Sequence, residues 1–490
     1  MNYGQFLYMI PEFYLVVILL VVFVADFILH RREDKHNAFS GMTIGLMLVL
    51  PVRIALLSEP SEAFGGMYVA TQAANVMKII MTVGTVIVLI MAQPWLKNEA
   101  SKYEGEFYML VLSTLLGMYI MVSSGNFLLF FLGLEMASVP MACLVAFDKL
   151  KKESAEGGAK YIITATFSSA VMLYGISFIY GSIGTLYFDD VAQRIAFFAN
   201  FKSQLPMLIM GMVFFFSGLA FKLSLVPFHF WTADTYQGAP TPVTGYLSVV
   251  SKGAAAFALM TILVKVFGSL TVYWDYMLYV VIVLSITIAN LFAIRQKELK
   301  RFMAFSSISQ AGYIMLAVIG SSQACLASLM YYILVYVVAN MAVFTVISAV
   351  EQSGQRSASG QPLTAMSTYD GFYQTNPKLS FLMTLALFSL AGIPPFAGMF
   401  SKFFVFMAAA EQGSFWAYFV VFIALINTVV SLYYYLLIVK AMYIKPCDSP
   451  LPTFKSDGSI RLALAVCTAG IVLFGVCSCV YEWLFAASAM

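Results

Sequence analysis

Apolar residues fill this chain in long runs that short polar stretches separate at fairly regular intervals. A helix that spans a membrane needs about 20 apolar residues, and fourteen segments of the sequence meet that requirement. They lie at roughly 5–29, 39–57, 69–93, 107–123, 125–147, 158–181, 205–231, 241–267, 274–294, 301–320, 324–350, 378–410, 415–442 and 462–486. The pattern therefore predicts an all-α polytopic membrane protein with about 14 transmembrane helices.

The composition agrees with this class and excludes others. The chain is 61% hydrophobic and 10% charged, whereas soluble domains carry roughly 25% charged residues. A formal net charge of +3 is too small to suggest a nucleic-acid partner. The six cysteines have no metal-ligand or redox spacing, and there are only three histidines. No metal or cofactor site is therefore expected in this chain.

Basic residues divide unevenly between two sets of loops. If the N-terminus lies outside, the odd-numbered loops are cytoplasmic and hold 18 of the 27 Lys and Arg residues. The even-numbered loops hold only Arg194 and Lys202, and the other seven fall within the segments. Cytoplasmic loops are enriched in Lys and Arg. This asymmetry predicts that both termini lie on the outer side of the membrane.

Six lysines and one glutamate lie inside the apolar segments. A charged side chain in hydrocarbon costs at least about 2.5 kcal/mol, so such residues are rare and usually mark an ion or proton path. They are Lys78, Lys160, Lys222, Lys252, Lys265, Lys402 and Glu135. The working hypothesis is proton transport.

The seventh segment combines a helix breaker with one of these lysines. Pro227 lacks an N–H, so the carbonyl of Leu223, four residues earlier and next to Lys222, loses its helical partner. Irregular backbone at membrane depth is tolerated only where protein or water covers it. The break therefore predicts a buried polar cavity that holds the amine.

The twelfth segment repeats this combination. Pro394 and Pro395 free the carbonyls of Leu390 and Ala391, shortly before Lys402. The segment at 378–410 is also too long for one straight span, which predicts a broken helix.

The two breaks lie five helices apart, so their helices run in opposite directions. This arrangement predicts two inverted five-helix repeats, helices 4–8 and 9–13, with discontinuous helices 7 and 12. The predicted divisions are helices 1–3 at 1–106, the first repeat at 107–267, the second repeat at 274–445, and a loop with the last helix at 446–490.

Four stretches of the chain resemble one family of membrane subunits. The longest, FKLSLVPFHFWTADTYQGAPTPVTGYLSVVSK at 221–252, is similar to the proton-translocation signature of the antiporter-like subunits of NADH-quinone oxidoreductase, the bacterial respiratory complex I. The others are GLEMASVPMACLVAF at 133–147, LKRFMAFSSISQAGYI at 299–314 and SLAGIPPFAGMFSKF at 389–403. The details favour the subunit N branch of this family, which also includes Mrp-type antiporter subunits.

The resemblance implies a proton-translocating subunit of the complex I membrane arm, located in the bacterial inner membrane with periplasmic termini. Its expected partners are the neighbouring antiporter-like and small membrane subunits and the lipid bilayer. The sequence has no Rossmann glycine motif, iron–sulfur cysteines or flavin motif. The chain is thus expected to be a non-redox subunit of the oxidoreductase, with FMN, iron–sulfur clusters, NADH and quinone in partner subunits.

The resemblance also implies roles for the buried residues. Glu135 is expected to pair with Lys222 as a switch, because desolvation favours a neutral amine whereas a nearby carboxylate favours a charged one. Lys252 and water are expected to carry the proton laterally, and Lys402 to release it outside. Lys160 matches a lysine of the family, but its shallow position leaves snorkelling to the surface as an alternative.

The remaining positions are less defined. His229, at the cytoplasmic end of the seventh segment, either aids proton uptake or is an interfacial histidine satisfied by backbone. Gln310 stands where many relatives have His, and an amide cannot take up a proton, so a relay there requires bound water. Ala233 stands where relatives often have Pro. Lys78 and Lys265 match no motif and are interpreted as structural.

Two other functions remain open at this level. One is an Mrp-type secondary antiporter subunit that exchanges cations for protons, and the other is direct quinone binding by this subunit. The 16% aromatic content invites the quinone interpretation.

Overall fold

The computed structural model describes residues 3–29, 35–198, 205–320, 322–353, 363–447, 450–477 and 479–489. Among the basic loop residues, Arg31, Arg32, Lys202 and Arg356 lie outside the described residues.

The first part of the chain forms three long helices and a small hairpin. A 3-10 turn at Tyr3–Tyr8 leads into α1 (Ile10–Leu29), α2 (Lys35–Leu57) and α3 (Gln72–Glu99). Between α2 and α3, β1 (Ser61–Ala63) pairs antiparallel with β2 (Tyr68–Ala70), so that Glu62 faces Val69.

The next part contains the first candidate repeat. Its helices are α4 (Glu104–Val122), α5 (Phe127–Val145), α6 (Lys152–Ile183), α7 (Phe188–Phe198), α8 (Leu205–Leu223), α9 (Phe230–Gly238), α10 (Thr241–Tyr246) and α11 (Lys252–Lys265). A π-helical segment at Leu247–Ser251 joins α10 to α11, so the three form one continuous span.

The last part contains the second candidate repeat and the C-terminal helices. They are α12 (Thr271–Ile294), α13 (Leu299–Ile319), α14 (Gln323–Glu351), α15 (Phe372–Thr375), α16 (Pro377–Ala391), α17 (Ala397–Ala410), α18 (Phe415–Tyr443), α19 (Gly458–Val476) and α20 (Cys479–Ala487). Further 3-10 turns occur at Ser101–Tyr103, Gly268–Leu270 and Met366–Tyr369.

Polar residues fix where several helices begin. The side chains of Thr71, Asn126, Ser322 and Ser414 accept hydrogen bonds from backbone N–H groups in the first turns of α3, α5, α14 and α18. Such N-caps satisfy donors that have no partner within the helix. The ends of these spans are therefore encoded locally.

The predicted fold class is confirmed. Within the described residues, thirteen helices are long and apolar enough to cross a membrane, and α16 and α17 are two shorter apolar helices. Together α16 and α17 occupy the twelfth predicted segment, so the total of about fourteen spans holds. The inverted-repeat relation between the two five-helix sets stays a prediction.

Four spans form the centre of the molecule. Nearly all residues of α3, α13, α14 and the span Thr241–Lys265 are buried by protein, whereas only 22–33% of α1, α2, α18 and α19 is buried. The outer helices thus present apolar side chains to lipid. Lys78 and Lys252, in the interior of these central spans, are enclosed by protein instead.

Candidate functional site

The first helix break lies between α8 and α9 and is covered by protein. At the end of α8, Ser224 adopts a left-handed conformation with φ of 62°. The Leu225 N–H donates to Ala220 at 2.8 Å, and the Trp231 indole reaches back across the break to the Phe221 carbonyl at 3.1 Å. The Val226 N–H donates to Ser285 of α12 at 2.9 Å. These contacts satisfy backbone groups that a straight helix would pair internally.

Lys222 lies in the last turn of α8 and points toward α5 and α6. Its buried amine donates to Ser138 Oγ at 2.9 Å and to the Tyr161 hydroxyl at 3.0 Å. Glu135 lies three positions before Ser138 on α5 and accepts a hydrogen bond from Ser169 of α6. The Lys222 amine therefore contacts α5 about one helical turn from Glu135, but the two side chains do not form an ion pair in this structure.

Lys160 belongs to a surface cluster. Its amine lies 2.6 Å from Glu156 and 2.6 Å from Asp234 of α9, and its side chain is 42% exposed. Arg301 of α13 also contacts Asp234 at 2.6 Å and donates to Gln237 at 2.8 Å. Asp234 therefore ties α6 to α13, one helix from each candidate repeat.

Charge determines the protonation of this cluster. Burial alone would raise the pKa of the Asp234 carboxyl, but the hydrogen bonds and charges of Lys160 and Arg301 outweigh burial and hold that pKa below its usual value. Asp234 is accordingly ionised at neutral pH and clamps the two cations.

Lys252 follows the π-helical segment directly. Its amine is buried, donates to Ser307 Oγ of α13 at 2.8 Å and lies 5.5 Å from the Tyr236 ring centroid. The Tyr236 and Ser307 hydroxyls are 3.3 Å apart. Ser307 also approaches the carbonyl of Ser248 inside the π-segment at 3.5 Å. Single π-turns are frequent at functional sites, and this one places Lys252 toward α13.

The second break forms around the two carbonyls that the prolines free. α16 ends at Ala391, and Gly392 continues with φ of 89°, a conformation that favours glycine. The Lys402 amine, on α17, donates to the Ala391 carbonyl at 2.9 Å. Gln310 of α13 donates to the Leu390 carbonyl at 3.3 Å. The break therefore supplies an acceptor to each of these two side chains.

Gln310 connects this break to aromatic hydroxyls. Its amide N–H₂ donates to Tyr435 of α18 at 3.2 Å, and its amide oxygen accepts from Tyr332 of α14. A cavity of about 10 Å³ lies between Gln310, Tyr332, Ser401 and Lys402. That volume is near the lower limit for one water molecule.

These polar side chains form several separate hydrogen-bonded sets in the protein interior, which together we call the polar axis. It contains Glu135, Ser138, Ser169, Tyr161, Lys222, Tyr236, Lys252, Ser307, Gln310, Tyr332, Tyr435 and Lys402. Each hydroxyl both donates and accepts. With bound water between them, such groups can pass a proton between amines.

A cavity of about 390 Å³ opens at the face opposite the N-terminus, beside the Asp234 cluster. Lys300 is buried in its wall and donates to the Ala239 carbonyl at 2.7 Å. Acidic residues dominate the rest of the charged lining: Glu99, Asp148, Glu153, Glu298 and Glu351. This cavity lies at the start of α13, which carries Ser307, and at the start of the span Thr241–Lys265, which carries Lys252.

The other predicted positions lie outside the axis. His229 is buried in the turn between α8 and α9, directly before α9 begins. The role of His229 at the cytoplasmic end of the seventh segment stays a prediction. Ala233 is buried within α9. Lys265, at the end of α11, pairs with Asp189 at 2.9 Å, and Lys78 pairs with Glu12 at 2.7 Å.

Sequence reasoning missed most of the hydroxyls. Ser138, Tyr161, Ser169 and Ser307 are the direct partners of the axis residues, yet each is an ordinary component of an apolar helix. A weak signal exists for Ser307, which lies one helical turn before Gln310 in the same motif.

Comparisons with known proteins agree with this architecture. Residues 124–428 match the family model described as NADH:quinone oxidoreductase/Mrp antiporter, TM. The NADH-quinone oxidoreductase subunit N of Phocaeicola vulgatus is 56% identical over 485 residues, covering 99% of each chain.

Two solved structures are also similar. A chain of respiratory complex I from Thermus thermophilus superposes with a TM-score of 0.77 at 27% identity, covering 95% of this chain and 97% of that one. A chain of the Mrp complex from Dietzia sp. gives a TM-score of 0.84 at 20% identity, covering 99% and 97%, which shows a shared fold. The chain therefore belongs to the NADH:quinone oxidoreductase/Mrp antiporter transmembrane family.

Proposed function

We propose that this chain is a proton-translocating, subunit N-type component of the membrane arm of respiratory complex I. Electron transfer from NADH to quinone would occur in other subunits, and this chain would use the released energy to move protons. The high identity to a subunit N over the whole length supports this assignment. FMN, iron–sulfur clusters and the quinone site belong to partner subunits in this proposal.

The polar axis supports the mechanism. Two interrupted helices each place a buried lysine beside the break: Lys222 bonds to two hydroxyls, and Lys402 bonds to a freed carbonyl. Lys252 lies on a third span between them in sequence and bonds to Ser307. Neutral partners allow a buried amine to release its proton, because no counter-charge stabilises the ammonium form.

The proposed sequence of events begins at Glu135. When the Glu135 carboxylate approaches Lys222, it favours the ammonium form, and when it recedes, the amine releases its proton. In the present structure Lys222 donates to Ser138, and Glu135 accepts from Ser169. Lys252, Ser307 and water carry the proton laterally, and Lys402 releases it on the periplasmic side.

The finer architecture belongs to the same proposal. Helices 4–8 and 9–13 are inverted repeats whose discontinuous members carry Lys222 and Lys402, and both termini lie in the periplasm of a bacterial inner membrane. Solvent reaches the axis from the cytoplasm through the acidic cavity beside Lys300, and the Asp234 cluster holds the two repeats together there.

Replacing Lys222 by Ala tests this function. Inverted membrane vesicles that contain the assembled complex are supplied with NADH, and proton uptake is followed by the quenching of a pH-sensitive dye. Lys222→Ala is expected to reduce quenching relative to electron transfer, whereas Lys440→Ala, an exposed position on α18, leaves it unchanged. Quenching equal to wild type at normal assembly would contradict the proposal.

The Mrp-type antiporter function is the second candidate, because the Mrp complex chain has the same fold. Purification of the native assembly separates the two functions. Co-purified iron–sulfur subunits support the complex I assignment, and an assembly of cation/proton antiporter subunits without them supports the alternative.

A further inference from the structure

A second set of ionisable side chains is buried in the first three helices, outside the polar axis. The Lys78 amine, on α3, has no exposed surface and lies 2.7 Å from Glu12 Oε1 of α1, which is also buried. Because α3 is enclosed by protein, Lys78 cannot snorkel to the lipid headgroups. The lysine that the sequence leaves without a role therefore has a specific carboxylate partner.

Two tyrosines complete this group. The Tyr68 hydroxyl, on β2, donates to Glu12 Oε2 at 2.9 Å and accepts from the Lys78 amine at 3.1 Å. Tyr119 of α4 donates to the Lys78 carbonyl at 3.3 Å and also contacts the Thr82 hydroxyl. We call Glu12, Lys78, Tyr68 and Tyr119 the N-terminal cluster.

The N-terminal cluster borders a cavity of about 520 Å³ at the face where the chain begins. Its lining includes Tyr8, Ser58, Glu59, Glu62, Tyr68 and Asn75. Tyr68 is thus part of the cavity wall and also hydrogen-bonds to both members of the ion pair. A carboxylate-rich vestibule raises the local concentration of cations, including protons.

Polar groups also continue inward from the N-terminal cluster. Tyr119 and Thr114 lie on α4, and Thr114 is 2.8 Å from the Tyr246 hydroxyl of α10. Tyr246 directly precedes the π-segment, in which Ser248 accepts from Asn340 at 2.7 Å and offers its carbonyl to Ser307. Ser307 is the hydrogen-bond partner of Lys252.

We propose that Glu12–Lys78 is a second proton-exchange site, which takes protons from or gives them to the N-terminal face through Tyr68 and its cavity. Tyr119, Thr114 and Tyr246 would connect it to Lys252. This inference rests on the proposed function, since it assumes that the chain moves protons. It adds an exchange point that is separate from Lys402.

Among the described residues, Glu12–Lys78 is the only ion pair within the N-terminal cluster. On α2, Arg53 is engaged with Tyr14 of α1 at 3.0 Å. On the hairpin, Glu62 faces the cavity. From α4, Tyr119 contributes a hydroxyl and no charge. The competing explanation is a permanently charged ion pair that only fastens α1 to α3.

Labelling of the unmodified complex distinguishes the two explanations. An apolar carbodiimide reacts with a protonated carboxyl in an apolar environment, and mass spectrometry locates the product. If Glu12 exchanges protons with the cavity, the working complex at neutral pH is labelled at Glu12, whereas a permanently charged ion pair leaves Glu12 unlabelled. A Glu12→Gln complex provides the blank. Absence of labelling at Glu12 would overturn the proposal.

A charge-conserving variant adds a functional readout. Arginine cannot be deprotonated in proteins, so Lys78→Arg keeps the ion pair but removes the exchanging amine. The assembled Lys78→Arg complex is expected to move fewer protons per electron. The Tyr68→Phe complex is expected to lower this ratio as well. A Lys78→Arg complex with the wild-type ratio would overturn the proposal. If Lys78→Arg fails to assemble, the labelling of the unmodified complex decides.

The two tests separate this inference from the function on which it rests. Lys222→Ala reports on the polar axis, whereas carbodiimide labelling of Glu12 requires no pumping. Normal pumping by Lys222→Ala together with labelled Glu12 would refute the axis mechanism alone. Impaired pumping by Lys222→Ala with unlabelled Glu12 would refute the second exchange site alone.

Discussion

A substitution at Gly392 tests how tightly Lys402 packs against the second helix break. A Cβ at this position would lie 3.1 Å from Lys402 Cδ. Carbon atoms pack at about 3.5–4.0 Å, so Gly392→Ala must displace the Lys402 side chain by about half an ångström. This displacement should disturb the hydrogen bond of 2.9 Å that the Lys402 amine donates to the Ala391 carbonyl. The φ of 89° adds about 1–2 kcal/mol of backbone strain for any non-glycine residue.

Gly413 provides a matched control. Its φ is 70°, and no heavy atom lies within 4 Å of a Cβ built there. Both Gly392→Ala and Gly413→Ala should therefore lose about 1–2 kcal/mol of stability, seen as similar decreases in the thermal unfolding temperature of the purified complex. Only Gly392→Ala should lower the number of protons moved per electron in inverted vesicles. Equal proton-to-electron ratios in the two variants, at equal assembly, would refute the reasoning.

Three further changes probe other parts of the site. Ser307→Ala removes the hydroxyl that binds Lys252, which should cost about 1–3 kcal/mol and reduce pumping. Ser309→Ala removes a hydroxyl on the same helix that contacts Tyr434 and not Lys252, so it should leave pumping unchanged. Gln310→His should retain pumping, whereas Gln310→Leu should reduce it, because Leu leaves the Leu390 carbonyl unpaired; dye quenching compares the two variants. Asp234→Asn should destabilise the complex at neutral pH. Because the folded pKa of Asp234 is depressed, its contribution is present above the unfolded pKa of about 3.9 and is lost as the pH falls through the folded value. The difference in unfolding temperature between wild type and Asp234→Asn should therefore disappear in acid, and a difference that persists would contradict the clamp.

The sequence predicted those features that depend on local chemistry. Proline removes one specific helical hydrogen bond, so Pro394 and Pro395 identified the Leu390 and Ala391 carbonyls in advance. The structure uses these two carbonyls as acceptors for Gln310 and Lys402. Span length and apolar composition likewise predicted the number of helices, because the hydrocarbon thickness sets the length of a spanning helix.

Contacts between residues far apart in the chain could not be predicted from the sequence. The partners of Lys222 come from helices 61 and 84 residues away, and a serine or tyrosine in an apolar helix carries no sign of which neighbour it meets. The pairing of Lys78 with Glu12 depends on how the β1–β2 hairpin packs over α1. The π-segment before Lys252 likewise has no proline or glycine signature that differs from an ordinary helix.

The most direct test of the central claim compares two lysines of one helix. Lys252 is buried in the polar axis, whereas Lys265, at the end of α11, is 40% exposed and pairs with Asp189. Lys252→Met and Lys265→Met remove the same charge, and the protons moved per electron are measured in inverted vesicles at matched assembly. The account predicts a lower ratio in Lys252→Met and the wild-type ratio in Lys265→Met. A wild-type ratio in Lys252→Met would contradict the claim that protons pass along the axis.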